Sequence, residues 1–316
     1  MANFPPRLFS NNNDESFMAS LRASAQTSAT SQRLAYVERL ILDLQKSDLR
    51  ENALHMLSKN TESFKDLAPL LWNSFGTIVI LLQEILSIFP NISMQNLTPA
   101  QSTRACHVLA LLQCVASHPD TKMLFLDANM PLYLYPFLQT KNESPQFEHL
   151  RLASLGVIGA LIKVSTKEVI TFLLSSEIIP LCLCNMEIGK EVSKTVATFI
   201  IQKVLAEEDG LAYVCATAER FFAVARVLDK VLNSIEKQHS PRLLKLIISC
   251  YSRLSDSHRA GVVLANCLPK MLTDGTFNNY FRDDPTTWRL VEHLYENLGM
   301  NQVPLVPGGP LVPGGE

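Results

Sequence analysis

The chain has 316 residues, of which 47% are hydrophobic, and a formal net charge of −2 from 28 basic and 30 acidic side chains. A chain of this length and composition can bury a large core, and its near-zero net charge excludes strong attraction of the whole molecule to a polyanion. Seven cysteines are scattered through apolar segments without a repeated CxxC pattern, which argues against a disulfide framework or a zinc site. We therefore expect buried, reduced thiols in a protein of the cytosol or nucleus.

The chain divides into three segments by composition. Residues 1–32 are rich in Asn, Ser and acidic side chains and hold no apolar stretch suited to a signal peptide, so we expect a flexible lead-in. Residues 33–300 place apolar side chains at steps of three and four, as in LAYVERLILDL from Leu34, which predicts helices throughout. Residues 301–316 contain PLVPGG twice, and this Pro/Gly content predicts a disordered tail.

The most apolar run extends from Phe75 to Phe89 and is too short for a bilayer of about 30 Å. We expect a core helix and no membrane contact. An apolar stripe overlaps this run and consists of Trp72, Phe75, Val79, Leu82 and Leu86, whose steps of three and four put them on one helical face. Two interpretations remain for this face: it receives a partner helix, or it packs in the core.

Three helix starts are marked by a hydroxyl residue followed by proline, at Thr98, Ser144 and Ser240. The hydroxyl caps the first backbone N–H groups of a helix, and proline suits the first helical position. Two further prolines, Pro131 and Pro180, follow short breaks after apolar helices and are expected to begin the next helix.

The ends of four apolar helices can be superimposed, with Val115, Val164, Leu205 and Leu254 as equivalent positions. The spacings are 49, 41 and 49 residues, close to the period of about 40 to 47 of armadillo or HEAT repeats. Such units must stack to bury their apolar faces, so we predict an all-α armadillo-repeat superhelix of about six repeats over residues 33–300, with disordered termini. An irregular helical bundle is the alternative.

The sequence contains no HExxH, GxSxG or glycine-rich phosphate loop, and its seven histidines are spread one by one. We therefore predict a protein without catalytic activity, metal or cofactor. Basic residues on the predicted third helices of the repeats suggest a positive groove that binds single-stranded nucleic acid weakly and without sequence preference. They are Arg104, Arg151, Lys194, Arg242 and Lys245. The alternative is that these side chains are solvated or paired with acids.

Eight uninterrupted segments between about residues 34 and 298 carry a family resemblance. They are ENALHMLSK from Glu51, DLAPLLWNSFGTI from Asp66, LALLQCVASHP from Leu109, LYLYPFL from Leu132, SLGVIGAL from Ser154, EIIPLCL from Glu177, SKTVATFI from Ser193 and RLLKLIISCYSRLSD from Arg242. These segments resemble the family called "required for cell differentiation", which supplies the armadillo-repeat subunit of the Ccr-Not mRNA deadenylase complex. AERFF from Ala218 looks most like the plant members. The resemblance implies a non-catalytic adaptor that docks on the Not scaffold.

The resemblance assigns the scaffold contact to Asn73, Phe75, Val79 and Leu86, three of which belong to the apolar stripe. Animal members often carry His and Ala where this chain has Asn73 and Val79. The resemblance also implies that a concave site around Val196 accepts short helical motifs of RNA-binding regulators.

A convex pocket of the family accepts tryptophans and is matched by Arg220 and Arg259, with Ala218 in place of a tyrosine. The missing ring predicts weaker binding of tryptophan peptides here. The alternative is that both arginines pair with nearby acids such as Glu219 and Asp256. Separately, Cys184 and Ser249 occupy positions where arginine is usual in the family, which thins any basic surface.

The leading hypothesis is therefore an adaptor in mRNA deadenylation, decay and translational repression, in the cytoplasm, including P-bodies, and in the nucleus. The rival hypothesis is a free-standing nucleic-acid-binding or transcriptional cofactor that uses the basic groove. The sequence leaves open which regulators bind and whether the chain forms a homodimer.

Overall fold

The computed structural model describes residues 31–300 except residue 239, without the side chains of residues 236–238 and 283. Within this part of the chain all regular structure is helical, which confirms the predicted all-α class. The predicted tail 301–316, and all but residues 31 and 32 of the predicted lead-in, lie outside the described residues.

The helices form six successive repeat units, and the first three span residues 31–163. The first unit has helices α1 (31–44) and α2 (Arg50–Lys59). The second has α3 (Leu67–Asn73), α4 (Thr77–Ser87), α5 (Phe89–Ser93) and α6 (Pro99–Ser117), and the third has α7 (Pro119–Asp127), a 3-10 helix (Met130–Leu134), α8 (Tyr135–Gln139) and α9 (Pro145–Lys163).

The last three units complete the stack. The fourth has α10 (Lys167–Ser175), α11 (Ile178–Ile188) and α12 (Glu191–Ala206). The fifth has α13 (Glu208–Cys215), α14 (Ala218–Gln238) and α15 (Pro241–Ser255), and the sixth has α16 (His258–Cys267), a 3-10 helix (Lys270–Leu272), α17 (Asn278–Asp283) and α18 (Pro285–Asn297).

The last helix of each unit packs beside the last helix of the next, giving a continuous row in the order α2, α6, α9, α12, α15 and α18. These are the third helices expected from the repeat pattern, and their side-by-side order confirms the predicted armadillo architecture. Each contributes buried aliphatic side chains to one core that runs the length of the stack. The row defines the concave side, and the first and second helices cover its back.

The predicted repeat equivalence holds at three of four positions. Val115, Leu205 and Leu254 are fully buried and lie within two residues of the ends of α6, α12 and α15. Val164 lies one residue beyond α9 and is 72% exposed, and Ile162 takes the equivalent buried place. The prediction was wrong by two residues there because the loop from α9 to α10 has three residues, more than the loops after α6, α12 and α15.

All three marked helix starts are confirmed, but only one uses its hydroxyl as a cap. Thr98 Oγ1 accepts a hydrogen bond from Gln101 N at 3.2 Å, and Gln101 Oε1 accepts one from Thr98 N at 3.1 Å, forming a capping box. Ser144 and Ser240 begin α9 and α15 without a side-chain cap, so the expected hydroxyl caps are wrong there.

The two prolines expected to begin helices lie close to their predicted places. Pro131 is in the first turn of its 3-10 helix, whereas Pro180 is the third residue of α11. The helix start at Pro180 was therefore predicted two residues late.

A left-handed residue precedes the second helix in three units: Gly76 at φ 74°, Asn129 at φ 54° and Glu177 at φ 59°. Glycine adopts this conformation without steric cost. The left-handed conformation at Gly76 joins α3 to α4 across a bend of 88°. This right-angle turn leaves the Phe75 side chain exposed on its outer side.

No single helix among the described residues is long and apolar enough to cross a membrane. Two helix pairs reach that length and composition only when taken together, and both are bent: Leu67–Asn73 with Thr77–Ser93 by 88°, and Lys167–Ser175 with Ile178–Ile188 by 75°.

The turn between a third helix and the first helix of the next unit is tight. At three of these turns a residue of the first helix lies against the backbone carbonyl of the residue six positions earlier. Thr121 Oγ1 donates to Val115 O at 2.7 Å, while glycines face the corresponding carbonyls in later units. A Cβ on Gly210 would lie 1.9 Å from Val204 O, and a Cβ on Gly261 would lie 3.3 Å from Ser255 O. A side chain is therefore excluded at Gly210 in the fifth unit, whereas one nearly fits at Gly261 in the sixth.

We expect Gly210→Ala to lower the free energy of unfolding by about 1–3 kcal/mol, because α13 must move away from the end of α12. Gly261→Ala is the matched control and should change it by less than about 1 kcal/mol, because its contact is only slightly too close. Urea unfolding of both variants measures the difference. Equal effects would contradict the proposed crowding at Gly210.

Candidate functional sites on the repeat surface

The apolar stripe does not lie on one helical face as predicted, because the chain turns between α3 and α4: Trp72 is in α3, Phe75 is in the turn, and the other three residues are on α4. The stripe is largely a surface feature. Phe75 is 93% exposed, Val79 58% and Leu86 38%. Asn73 is exposed beside them, at the end of α3. The core side of α4 is formed instead by fully buried Leu81, together with Thr77 and Ile85.

Trp72 and Leu82 are the two stripe members that pack partly against the core. The core interpretation therefore applies to these two residues, and the other three form an exposed apolar surface. The scaffold contact assigned to Asn73, Phe75, Val79 and Leu86 stays a prediction, for which all four side chains are accessible.

Helix α4 is held against its neighbours by the carboxylate of Glu84. Arg104 Nε and Nη2 donate to it at 2.6 and 2.9 Å, and Arg50 Nη1 donates at 3.2 Å. Burial alone would raise the pKa of Glu84, but the hydrogen bonds and charges of Arg104 and Arg50 outweigh burial and lower it. At the turn before α4, Gln45 Nε2 donates to Phe75 O at 3.2 Å. These contacts fix the position of α4, the helix that carries Val79 and Leu86.

Arg151 was predicted to line a basic groove, and that prediction is wrong because its side chain is fully buried. Its Nη1 donates to Asn142 O at 2.6 Å and to Thr140 O at 3.2 Å, and its Nη2 donates to Glu148 Oε2 at 2.7 Å. The guanidinium therefore fixes the loop before α9 and is out of reach of a phosphate.

The partner carboxylate, Glu148, joins two third helices. Its Oε1 accepts from Ser193 Oγ at 2.7 Å and from Lys190 N at 3.0 Å, at the start of α12. Burial raises the pKa of Glu148, but the hydrogen bonds of Ser193, Arg151 and Lys190 together lower it. The ionised form is therefore the one that stabilises the fold.

The other four predicted groove cations do lie on third helices, but two are paired with acids. Arg104 binds Glu84, and Lys245 Nζ lies 2.8 Å from Asp284 Oδ2. Lys194 and Arg242 have no carboxylate partner among the described contacts. A groove of two free cations supports phosphate binding far less than one of five.

The concave surface near Val196 is apolar and close-packed. Val196 is half-buried, and a Cβ on Gly159 of α9 would lie 3.6 Å from its Cγ1 and 4.0 Å from Phe199 Cδ1. One turn earlier on α12, Val192 is 60% exposed. Gln202 Nε2 donates to Ser249 Oγ at 3.3 Å further along the groove, where the two side chains add no charge.

On the opposite side of the stack, Ala218 and Arg259 line one cavity of about 190 Å³, together with Phe221 and Phe222. Arg220 points elsewhere: its guanidinium lies over the Tyr213 ring, 3.9 Å from the centroid. Arg220 and Arg259 are both exposed at the surface. The structure therefore places Arg259 and Ala218 together and separates Arg220 from them.

The expected alternative pairing with acids is not seen among the described contacts. Asp256 binds Arg253 at 2.9 Å and His293 at 2.7 Å, and no ion pair joins Arg220 or Arg259 to Glu219 or Asp256. Arg259 is therefore available to a ligand in the cavity.

Sequence reasoning missed Phe222, which is 50% exposed and lies between this cavity and a larger one of about 560 Å³. The larger cavity is also lined by Arg226 and Tyr251. A signal was present in the sequence: Phe221 and Val224 follow the buried phase of α14, and Phe222 falls outside it. A large aromatic residue out of phase on an amphipathic helix marks a surface for binding.

Within the described part of the chain, no group of three or more His, Cys, Asp or Glu is placed to hold a metal. Burial raises the pKa of the Cys106 thiol to about 11 and that of Cys182 to about 12. A thiol with a raised pKa is a poor nucleophile at neutral pH.

Solved structures with the same arrangement define the class of protein. A designed armadillo repeat protein matches with a TM-score of 0.60 and 11% identity, covering 83% of this chain and 99% of that one. A second designed armadillo repeat protein, solved in complex with the peptide (KR)4, matches with a TM-score of 0.58 over the same shares at 11% identity. The fold is that of an armadillo-repeat protein.

Residues 40–298 match the family described as "Cell differentiation family, Rcd1-like". The chain is 51% identical over 264 residues to the cell differentiation protein rcd1 of Schizosaccharomyces pombe, covering 84% of this chain and 93% of that protein. It is 50% identical over 250 residues to the protein CAF40 of Saccharomyces cerevisiae, covering 79% and 67%. The chain belongs to the Rcd1-like cell differentiation family, which confirms the resemblance.

We expect Arg151→Leu to cost about 3–5 kcal/mol of stability at neutral pH, because it leaves the Glu148 carboxylate buried without its cation. The cost should shrink toward pH about 4, because a protonated Glu148 does not need the guanidinium. Lys194→Leu, at a half-exposed cation without a carboxylate partner among the described contacts, is the control and should cost less than about 0.5 kcal/mol. Chemical denaturation across pH measures both, and a stable Arg151 variant would contradict the structural role.

Proposed function

We propose that the chain is a non-catalytic adaptor subunit of a Ccr-Not deadenylase complex. In this role it docks on the Not scaffold and recruits regulators for mRNA deadenylation, decay and translational repression. The family supports the assignment to the complex, and the repeat architecture supports an adaptor, because stacked repeats offer extended surfaces for binding. We propose the cytoplasm, including P-bodies, and the nucleus as its locations.

The observation that carries the proposal is the exposed apolar surface on α4. A side chain as large as Phe75 is seldom left 93% exposed without a function, and Val79 and Leu86 extend its surface along the helix. Their spacing suits an amphipathic partner helix. Since Glu84 holds α4 in place through two arginines, the surface needs little rearrangement to bind.

Two other surfaces suit short motifs from regulators. The apolar concave surface at Val196 suits a short helix, and the convex cavity beside Arg259 suits an aromatic side chain. These assignments rest on the family resemblance together with the accessibility of both surfaces.

The rival function, a free-standing nucleic-acid-binding cofactor, has less support. Arg151 is buried, and Arg104 and Lys245 are paired with acids, so among the described contacts only Lys194 and Arg242 of the five predicted groove cations are without a carboxylate partner. Co-purification of the tagged protein from its own cells distinguishes the two functions. The adaptor requires the Not scaffold at stoichiometric amounts, and the rival requires retained nucleic acid without the scaffold.

We expect Val79→Asp combined with Leu86→Asp to abolish scaffold binding while the fold stays intact. Both side chains are exposed, so a charge there is solvated and costs little stability, but it must be desolvated in an apolar interface. Pull-down with the scaffold segment measures binding, and circular dichroism measures the fold.

The matched control is Leu124→Asp with Val262→Asp, which places two charges on exposed apolar residues away from α4. This variant should bind the scaffold as the unmodified chain does. A folded Val79/Leu86 variant that still binds would refute the assignment of the interface.

We expect Ala218→Tyr to strengthen binding of a tryptophan peptide by about two- to tenfold, because an added aromatic contact contributes about 0.5–1.5 kcal/mol. Ala218 lines the cavity with Arg259, so the new ring would meet the indole there. Calorimetric titration of one peptide into both proteins measures the change. Ala212→Tyr, on the exposed face of α13, is the control and should leave the affinity unchanged. Equal affinities for all three proteins would show that tryptophan does not enter this cavity.

A further inference from the structure

Two histidines from different repeats face each other across the first pair of third helices. His55 of α2 and His107 of α6 bring Nδ1 and Nε2 to 3.4 Å, with ring centroids 5.0 Å apart and planes inclined by 63°. Both side chains are half-buried, so solvent reaches the pair. Neither the stripe on α4 nor the convex cavity includes these residues.

The separation of the two nitrogens suits a shared metal ion better than a hydrogen bond. Hydrogen bonds between nitrogen and its acceptor usually span about 2.7–3.2 Å, so 3.4 Å is long. Two imidazole nitrogens at about 2.0–2.1 Å from a tetrahedral zinc ion lie about 3.3–3.4 Å apart. We propose that His55 and His107 form a site that binds a divalent transition-metal ion, zinc above all, and clamps the first repeat to the second.

The described residues supply two protein ligands at this point. No third His, Cys, Asp or Glu among the described residues is placed at the same point, so two protein ligands and water complete the coordination. Imidazole suits zinc, copper and nickel, and two ligands on separate rigid helices can bind the ion together.

The neighbouring charges are compatible with a cation. Arg104, three residues before His107 on α6, already binds Glu84 at 2.6 Å and Glu51 at 3.7 Å. Glu51 lies one turn before His55 with its side chain 77% exposed, so it can turn toward the ion. Lys59 lies one turn after His55 and is exposed, so its ammonium group can move into solvent.

The test uses the full chain without an affinity tag, at pH about 7.5, where imidazole is neutral. Zinc chloride is titrated by calorimetry, and thermal melting is recorded with and without the ion. Copper(II) binding is followed by electron paramagnetic resonance, which counts the coordinated nitrogens. The variants are His55→Gln and His107→Gln, with His149→Gln as the control because it is an exposed histidine outside the pair.

We expect one zinc ion per chain, a rise in melting temperature with zinc, and two nitrogens on copper. Each paired-site variant should lose at least tenfold in affinity and most of the thermal shift, while His149→Gln should behave as the unmodified chain. Circular dichroism confirms that each variant is folded. The proposal is overturned if zinc does not bind, or if binding survives both paired-site substitutions. A copper spectrum with a single nitrogen would also exclude it.

Discussion

The structure depends on the lateral packing of third helices. A helix such as α9 has neighbours on two sides, α6 and α12, and can bury its apolar residues only if both are present. Phe147, Leu155 and Ile158 are at most 1% exposed for this reason. One unit alone cannot bury these apolar residues, so the chain folds as a stack of units. Each exposed surface is therefore the outer side of a helix whose inner side packs in the core.

Polar contacts between units complement the apolar packing where third helices end. Arg253 of α15 donates to Leu205 O at 3.0 Å, at the end of α12, and binds Glu208 at 2.5 Å. The last carbonyls of a helix lack partners within it and carry partial negative charge, so a cation from a neighbouring unit satisfies them. Arg253 thereby also fixes the position of the fifth unit on the fourth.

The sequence predicted what local periodicity determines. Helix starts at Thr98, Ser144 and Ser240, and the ends near Val115, Leu205 and Leu254, follow from steps of three and four and from the capping residues. Those patterns repeat in each unit, so the architecture was predictable.

The environment of a single side chain was less predictable. Arg151 has the spacing of a groove residue, but its acceptors come from the loop at Thr140 and Asn142, whose position depends on packing. The stripe was ambiguous because periodicity alone neither located the break between α3 and α4 nor showed which neighbour covers each side chain. The 88° bend at Gly76 decides the matter, and it leaves Phe75 uncovered.

The burial of Arg151 and Glu148 in the third unit also shapes how the molecule opens. The pair ties the loop before α9 to the start of α12, so α9 cannot detach without exposing two charges and breaking a contact with the fourth unit. Helices at the ends of the stack have a neighbour on one side only. Backbone amides should therefore exchange their hydrogens slowest in α9 and fastest toward α1 and α18, so that the chain opens from its ends inward and its middle acts as the last structured segment.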